Sequence, residues 1–219
     1  MTAFNFEQAR FNMIEQQIRP WEVLDQRVLD TLTRTPREDF TPERYRNLAF
    51  SDVAIPIGHG EVMLKPNIEG RILQALAVQP TDQILEVGAG SGYLTACLAQ
   101  LANSVISVDI IPDFIEAAHG KLKAHGITNV VLHTGDASRG WGERRYHVIA
   151  VTGSVARVDE VWRQSLRLGG RLFIVTGQLP VMEALLITRV GEQEWTQESL
   201  FETELPPLRG ANPVKTFEF

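Results

Sequence analysis

Apolar and polar positions keep two different rhythms on either side of about residue 67. Before it, helical spacing occurs in short stretches. Phe4 to Ile18 reads as a helix with Phe11, Ile14 and Ile18 on one face. Pro20 ends it, since a proline cannot donate to the preceding turn. Asp25 stands where a second helix needs an N-cap, and Val28, Leu29 and Leu32 then face inward. Pro36 stops that helix. From Thr41 to Pro66 the prolines and glycines (Pro42, Pro56, Gly58, Gly60, Pro66) predict loops and turns.

Beyond that boundary helices and short apolar strands alternate. Ile68 to Ala77 is helical, Gln83 to Val87 a buried strand, Tyr93 to Leu101 a helix and Val105 to Asp109 a strand. Ile111 to His125 is a helix closed by Gly126, and Asn129 to His133 a strand. Tyr146 to Val151 is the next strand, Val158 to Leu168 a helix, and Gly169-Gly170 turns into the strand Arg171 to Val175. This alternation predicts an α/β fold, a doubly wound, mostly parallel sheet with helices on both faces. Ala184 to Val190 is a sixth strand candidate. The tail carries Pro206, Pro207 and Pro213 and is expected to wrap the surface or add an edge strand at Thr216 to Phe219. The chain 1–219 thus reads as one domain: a helical and loop extension over 1–70, a core over 71–190 and an appendage over 191–219.

Composition narrows the function classes. The chain has 219 residues, 44% hydrophobic and 22% charged, which excludes a wholly disordered protein. Twenty-one basic against 27 acidic residues leave a net charge of -6, a poor match to the broad basic surface that holds nucleic acid. One cysteine, Cys97, excludes an internal disulfide and a multi-cysteine zinc site. His119, His125, His133 and His147 lack metal-ligand spacing, so no metal is expected. No apolar run reaches the roughly 20 residues that cross a bilayer. Charges stand near the amino terminus where a signal peptide needs an apolar stretch. The expectation is a soluble, cytoplasmic protein without a membrane or nucleic-acid partner.

The segment Glu86-Val87-Gly88-Ala89-Gly90-Ser91-Gly92-Tyr93 joins the first core strand to a helix. Glycines there let the backbone approach a ligand, and the helix start offers free N–H groups. The spacing is not the dinucleotide Gly-x-Gly-x-x-Gly, because Tyr93 falls where its third glycine belongs, and no P-loop lysine is present. Asp109 ends the next strand, where an acid accepts hydrogen bonds from ribose hydroxyls. Gly135-Asp136 follows the third strand, placed to meet an adenine. Three such features in order at the carboxyl ends of successive strands point to a nucleotide-type cofactor.

These residues resemble the S-adenosylmethionine-dependent methyltransferases. Glu86 to Gly92 looks like their first motif, Asp109 matches their ribose-binding acid, and Leu168-Gly169-Gly170-Arg171 matches their turn before the fifth strand. The likeness extends to the protein-L-isoaspartate O-methyltransferase family. Met13-Ile14-Glu15-Gln16-Gln17-Ile18, Asp25-Gln26-Arg27-Val28-Leu29 and Pro36-Arg37-Glu38-Asp39-Phe40-Thr41-Pro42 are similar to its amino-terminal part. Pro56-Ile57-Gly58, Gly135-Asp136-Ala137-Ser138-Arg139-Gly140-Trp141 and Val151-Thr152 resemble later stretches. The resemblance implies a Rossmann-like class I methyltransferase fold. It implies S-adenosyl-L-methionine as cofactor, S-adenosylhomocysteine as product, and repair of damaged aspartyl residues in proteins by carboxyl methylation. The implied cofactor contacts are Glu86, Gly88, Ala89, Gly90, Ser91, Gly92, Tyr93, Asp109, Ile110, Gly135, Asp136, Ala137 and Thr152.

The substrate-side loop departs from the family pattern Gly-x-Gly-Gln-Thr-Ile-Ser-x-Pro. Here it reads Gly58-His59-Gly60-Glu61-Val62-Met63-Leu64-Lys65-Pro66. Two hydroxyls are gone and a negative charge is added. A carboxylate nucleophile is ionised at neutral pH and needs no general base, so no catalytic residue is assigned. Glu61, Val62, Met63, Leu64 and Lys65 are the substrate-loop candidates. Glu61 is expected to repel an anionic acceptor unless Lys65 or another cation compensates, and Ser154 is a candidate to restore one lost hydroxyl. Tyr93 is expected to pack on the cofactor, and Trp141 to cover the adenine or fill the sheet edge. Two readings stay open. The acceptor is an isoaspartyl protein or peptide, or the scaffold serves a small-molecule acceptor or binds cofactor without isoaspartyl turnover.

Overall fold

The computed structural model describes residues 4–211. The amino-terminal part packs α1 (Phe6–Met13), α2 (Gln26–Arg34) and α3 (Arg37–Phe40) against a short hairpin, β1 (Ile55–Gly58) and β2 (Glu61–Met63). The core then alternates: α4 (Pro66–Leu76), β3 (Gln83–Val87), α5 (Tyr93–Leu101), β4 (Ser104–Asp109), α6 (Pro112–Ala124) and β5 (Val130–Thr134). It continues through β6 (Tyr146–Val155), α7 (Glu160–Gln164), β7 (Leu166–Gln178), β8 (Val181–Arg189) and β9 (Trp195–Glu202).

One seven-stranded sheet runs in the order β5-β4-β3-β6-β7-β8-β9. The first five strands in that order are parallel; β8 and β9 add antiparallel. Neighbouring residues of the central strands feed opposite faces. Ile84, Val148 and Phe173 join one apolar cluster with α2, α4 and α5; Leu85, Ile149 and Ile174 join the other with Trp162 of α7. Burial on both faces explains why β3 and β6 read as largely apolar, with Ile84-Leu85 and Val148 to Val151 buried throughout. The chain leaves β3 toward β4 and β5, then returns to β6 on its other side. That reversal opens a crevice at the carboxyl ends of β3, β4 and β6.

Several expectations change. The first helix is α-helical only to Met13, then widens to a π turn over Ile14–Ile18 and a 3-10 turn over Arg19–Trp21 that contains Pro20. The extra residue in the π turn rotates the apolar face. Met13, Ile14 and Ile18 are buried while Phe11 is 59% exposed. The stretch read as loops, 41–66, contains a 3-10 helix over Glu43–Leu48 and the β1–β2 hairpin, whose turn residues His59 and Gly60 both have positive φ, the requirement of a two-residue type I′ turn. The helix expected over 158–168 is confined to α7, because Leu166 already pairs with Tyr146 as β7 begins. Asp25 does cap α2, accepting from the Arg27 N–H at 2.8 Å. β9 was not foreseen, and the edge strand expected at 216–219 lies outside the described residues.

Candidate functional site

The crevice is an open cleft lined from the carboxyl ends of β3, β4 and β6. Its floor is the loop after β3. Gly88 has φ +97°, and a Cβ there would fall deep inside the Thr152 hydroxyl. Thr152 in turn donates to the carbonyls of Val87 and Gly88 at 3.0 and 2.9 Å. Thus β6 holds the backbone of the loop bare toward the cleft, with Gly88, Gly90 and Thr152 lining it.

Asp109 ends β4 and is 7% exposed. Its two oxygens accept from the Gly90 and Ile111 N–H groups at 2.9 Å each. A carboxylate has further lone pairs, and Asp109 lines the cleft. Burial pushes its pKa up, the two N–H bonds oppose this, and the charge of Glu61 pushes up again. Ile110 beside it is 39% exposed and presents an apolar surface to the same space. Asp136 lines the cleft from the loop after β5, with Ala137. It accepts from the Ser138 N–H at 2.9 Å, which holds its carboxyl below the ordinary range.

Other expected cofactor contacts lie beneath or beside the cleft instead. Glu86 is fully buried; its Oε2 accepts from the hydroxyls of Thr95 and Ser107 at 2.5 Å each, tying β3 to α5 and β4. Its Oε1 has no hydrogen-bond partner, and burial lifts its pKa to about 7. Ala89 and Ser91 are buried, and a Cβ on Gly92 would press against Ala118 of α6. Tyr93 does not reach the cleft. Its first-turn position in α5 points it into the core, under the Phe40 ring at 5.8 Å and the Arg37 guanidinium at 4.7 Å. Gly135 is covered by the Trp141 ring, which sits beside His133 at the sheet edge.

The hairpin supplies the opposite wall. Glu61, Val62 and Leu64 line the cleft, whereas Met63 is buried and its sulfur accepts from the Thr41 hydroxyl at 3.7 Å. Lys65 is exposed just ahead of α4 and is not part of the lining. Arg37, fully buried, donates to the carbonyls of Ala49 at 2.7 Å and Leu64 at 2.6 Å and pairs with Glu69 of α4. It thereby fixes where the substrate loop leaves the hairpin. His59 of the hairpin turn is tied to Asp113 of α6 at 2.8 Å.

A third wall was not anticipated: the segment from Pro206 to Arg209. Ser154 is committed to it and cannot restore a lost substrate hydroxyl. It is buried, and its Oγ donates to the Leu205 carbonyl at 2.9 Å. Its backbone exchanges hydrogen bonds with Pro206 and Leu208. Arg209 then reaches the hairpin, donating from Nε to Glu61 at 2.7 Å. Among the described residues no cluster of metal-ligating side chains occurs, and no helix is long and apolar enough to cross a membrane.

Residues 8–210 match the family model described as protein-L-isoaspartate(D-aspartate) O-methyltransferase. A protein-L-isoaspartate O-methyltransferase of Rhodopseudomonas palustris is 37% identical over 201 residues, covering 91% of this chain and 92% of that protein. One from Aeropyrum pernix is 35% identical over 210 residues, 94% of this chain and 81% of its own. The fold is similar to that of a Plasmodium falciparum protein described as a protein-L-isoaspartate O-methyltransferase, solved with S-adenosyl-L-homocysteine. The TM-score is 0.80 at 20% identity, covering 94% of this chain and 99% of that one.

Proposed function

The chain belongs to the protein-L-isoaspartate(D-aspartate) O-methyltransferase family, and from this premise we propose that it methylates the free carboxylate of isoaspartyl residues in proteins or peptides. The observation that carries the reading is the meeting of two walls in one cleft. The hairpin residues Glu61, Val62 and Leu64 face the strand-end residues Gly88, Asp109 and Thr152.

The strand-end wall fits S-adenosyl-L-methionine. The bare backbone at Gly88 admits no Cβ, and two carboxylates converge beside an apolar surface. Asp109 would hold the ribose hydroxyls, Asp136 with Ala137 and Ile110 the adenine, and Gly88, Gly90 and Thr152 the remainder. Glu86, Ala89, Ser91, Gly92 and Tyr93 would support that wall from below. When bound, the cofactor supplies a methyl group on a positively charged sulfur, open to in-line attack.

The chain's own task is then to orient and to exclude water. An acceptor carboxylate is already ionised at neutral pH, so no side chain has to take its proton. Val62, Leu64 and Ile57 make the acceptor side dry, which strengthens the attraction between a carboxylate and a cationic centre. Positioning of two reactants in one cleft is a sufficient source of rate. The domain division at about residues 70 and 190 follows this split, with the extension serving the acceptor. The single buried cysteine suits a reducing cytoplasm, where protein repair would take place.

Incubation with S-adenosylmethionine and an isoaspartyl peptide tests the reading. The peptide should gain the mass of one methyl ester, and the ester should be lost in mild base. An unmodified peptide, with cofactor binding intact, would favour another acceptor.

A further inference from the structure

The cleft as a whole has an unbalanced charge. Among the described residues that line it stand three carboxylates, Glu61, Asp109 and Asp136, and a single cation, Arg209. An anionic acceptor is repelled by the first three and has one group to pair with. Arg209 is already engaged. Its Nε donates to Glu61 Oε1 at 2.7 Å and its Nη2 donates to the His59 carbonyl. The contact spans 148 residues of sequence and joins two walls of the cleft, the hairpin and the carboxyl-terminal segment.

The engagement is of a kind that exchanges readily. The side chains are 47% and 25% exposed, and an ion pair so open to water contributes little to stability. A guanidinium carries five N–H donors in a planar fork, of which these two contacts take two. The fork is matched in shape to a carboxylate, which it binds with two parallel bonds. The His59 carbonyl keeps the guanidinium in place when Glu61 moves aside, and His59 is itself held by Asp113.

Resting on the acceptor reading above, we propose that Arg209 is the acceptor-recognition residue and that Glu61 is its resident counter-ion, displaced when the acceptor carboxylate binds. The family's neutral glutamine is replaced by a charged group that occupies the same cation the substrate requires. Glu61 thus weakens binding of carboxylate acceptors, which compete with it for Arg209, and leaves acceptors without a carboxylate nearly untouched. Glu61 acts through Arg209 and is a positioning residue.

Equilibrium binding distinguishes this from a purely structural strap. An isoaspartyl peptide, and its twin with that carboxylate converted to a carboxamide, are titrated by calorimetry into the full chain at saturating S-adenosylhomocysteine. The wild type should prefer the carboxylate peptide by about tenfold or more, the value of one charge-assisted hydrogen bond. Glu61→Gln should tighten the carboxylate peptide by about three- to tenfold and leave the carboxamide peptide nearly unchanged. Arg209→Met should abolish the preference, Arg209→Lys should keep part of it, and Glu61→Gln should have no effect once Arg209→Met is present. Equal weakening of both peptides by Arg209→Met, or a preference that survives it, overturns the role of Arg209 and leaves the acceptor reading standing. Binding of neither peptide by the wild type, with S-adenosylhomocysteine bound, overturns both.

Discussion

The hydroxyl of Thr152 stands where Gly88 would carry a Cβ, and it donates to the Gly88 carbonyl at 2.9 Å. One side chain at the end of β6 therefore both requires the glycine and fixes the loop that follows β3. Gly88→Ala combines this clash with a φ of +97° that L residues rarely adopt. Affinity for S-adenosylhomocysteine should fall by about tenfold or more, since the strain alone is roughly 1–3 kcal/mol. Adding Thr152→Ala should recover only part of it, because the clash is relieved and the backbone strain is not. Calorimetry on the single and double variants checks this; full recovery would mean that φ imposes nothing.

Asp109 is bonded to Gly90 and Ile111 and still faces the cleft. Asp109→Ala should weaken S-adenosylhomocysteine by about 1–3 kcal/mol through the lost ribose bonds. The same titration measures it. Unchanged affinity would place the ribose elsewhere.

Arg37 is expected to matter for stability before activity. Its guanidinium is buried, pairs with Glu69 and holds the carbonyls of Ala49 and Leu64. Arg37→Ala should reduce unfolding free energy by about 3–5 kcal/mol, because Glu69 is left buried without its partner. Urea denaturation gives the value; a loss below about 1 kcal/mol, the scale of an exposed pair, would contradict the burial argument.

Glu86 predicts a pH dependence with a definite sign. Burial lifts it from 4.5 to about 7, against the pull of the Ser107 and Thr95 hydroxyls. Between those values the folded chain holds a proton that the unfolded chain has released. Stability from this group is therefore full below the unfolded value and is lost as pH rises toward about 7, by on the order of 3 kcal/mol. Glu86→Gln should flatten that slope. Urea midpoints at about pH 5 and about pH 8, wild type beside variant, test the sign. An equal fall in both would assign the slope to other groups.

Much of the core was legible because its strands are buried on both faces. Gln83–Val87 and Tyr93–Leu101 have the bounds read from their apolar runs, and Asp25 caps α2 through a local hydrogen bond. β9 was not legible, since Thr196 to Glu198 are polar and exposed on an edge. Tyr93 and Ser154 were misplaced for a different reason. Each adjoins the cleft in sequence, but helix periodicity turns one into the core and the carboxyl-terminal segment engages the other. Arg209 carries no local signal at all, because its partner Glu61 lies 148 residues away. The cation that the sequence argument sought at Lys65 came from a segment with no regular structure.

The central claim is that this cleft methylates isoaspartyl residues. It is tested most directly by kcat/KM for an isoaspartyl peptide beside its normal aspartyl twin, with S-adenosylmethionine as donor. The account predicts measurable transfer to the isoaspartyl peptide and a kcat/KM for the aspartyl twin lower by at least about a hundredfold. Equal rates on both peptides, or no transfer to either while S-adenosylhomocysteine binds, would contradict it.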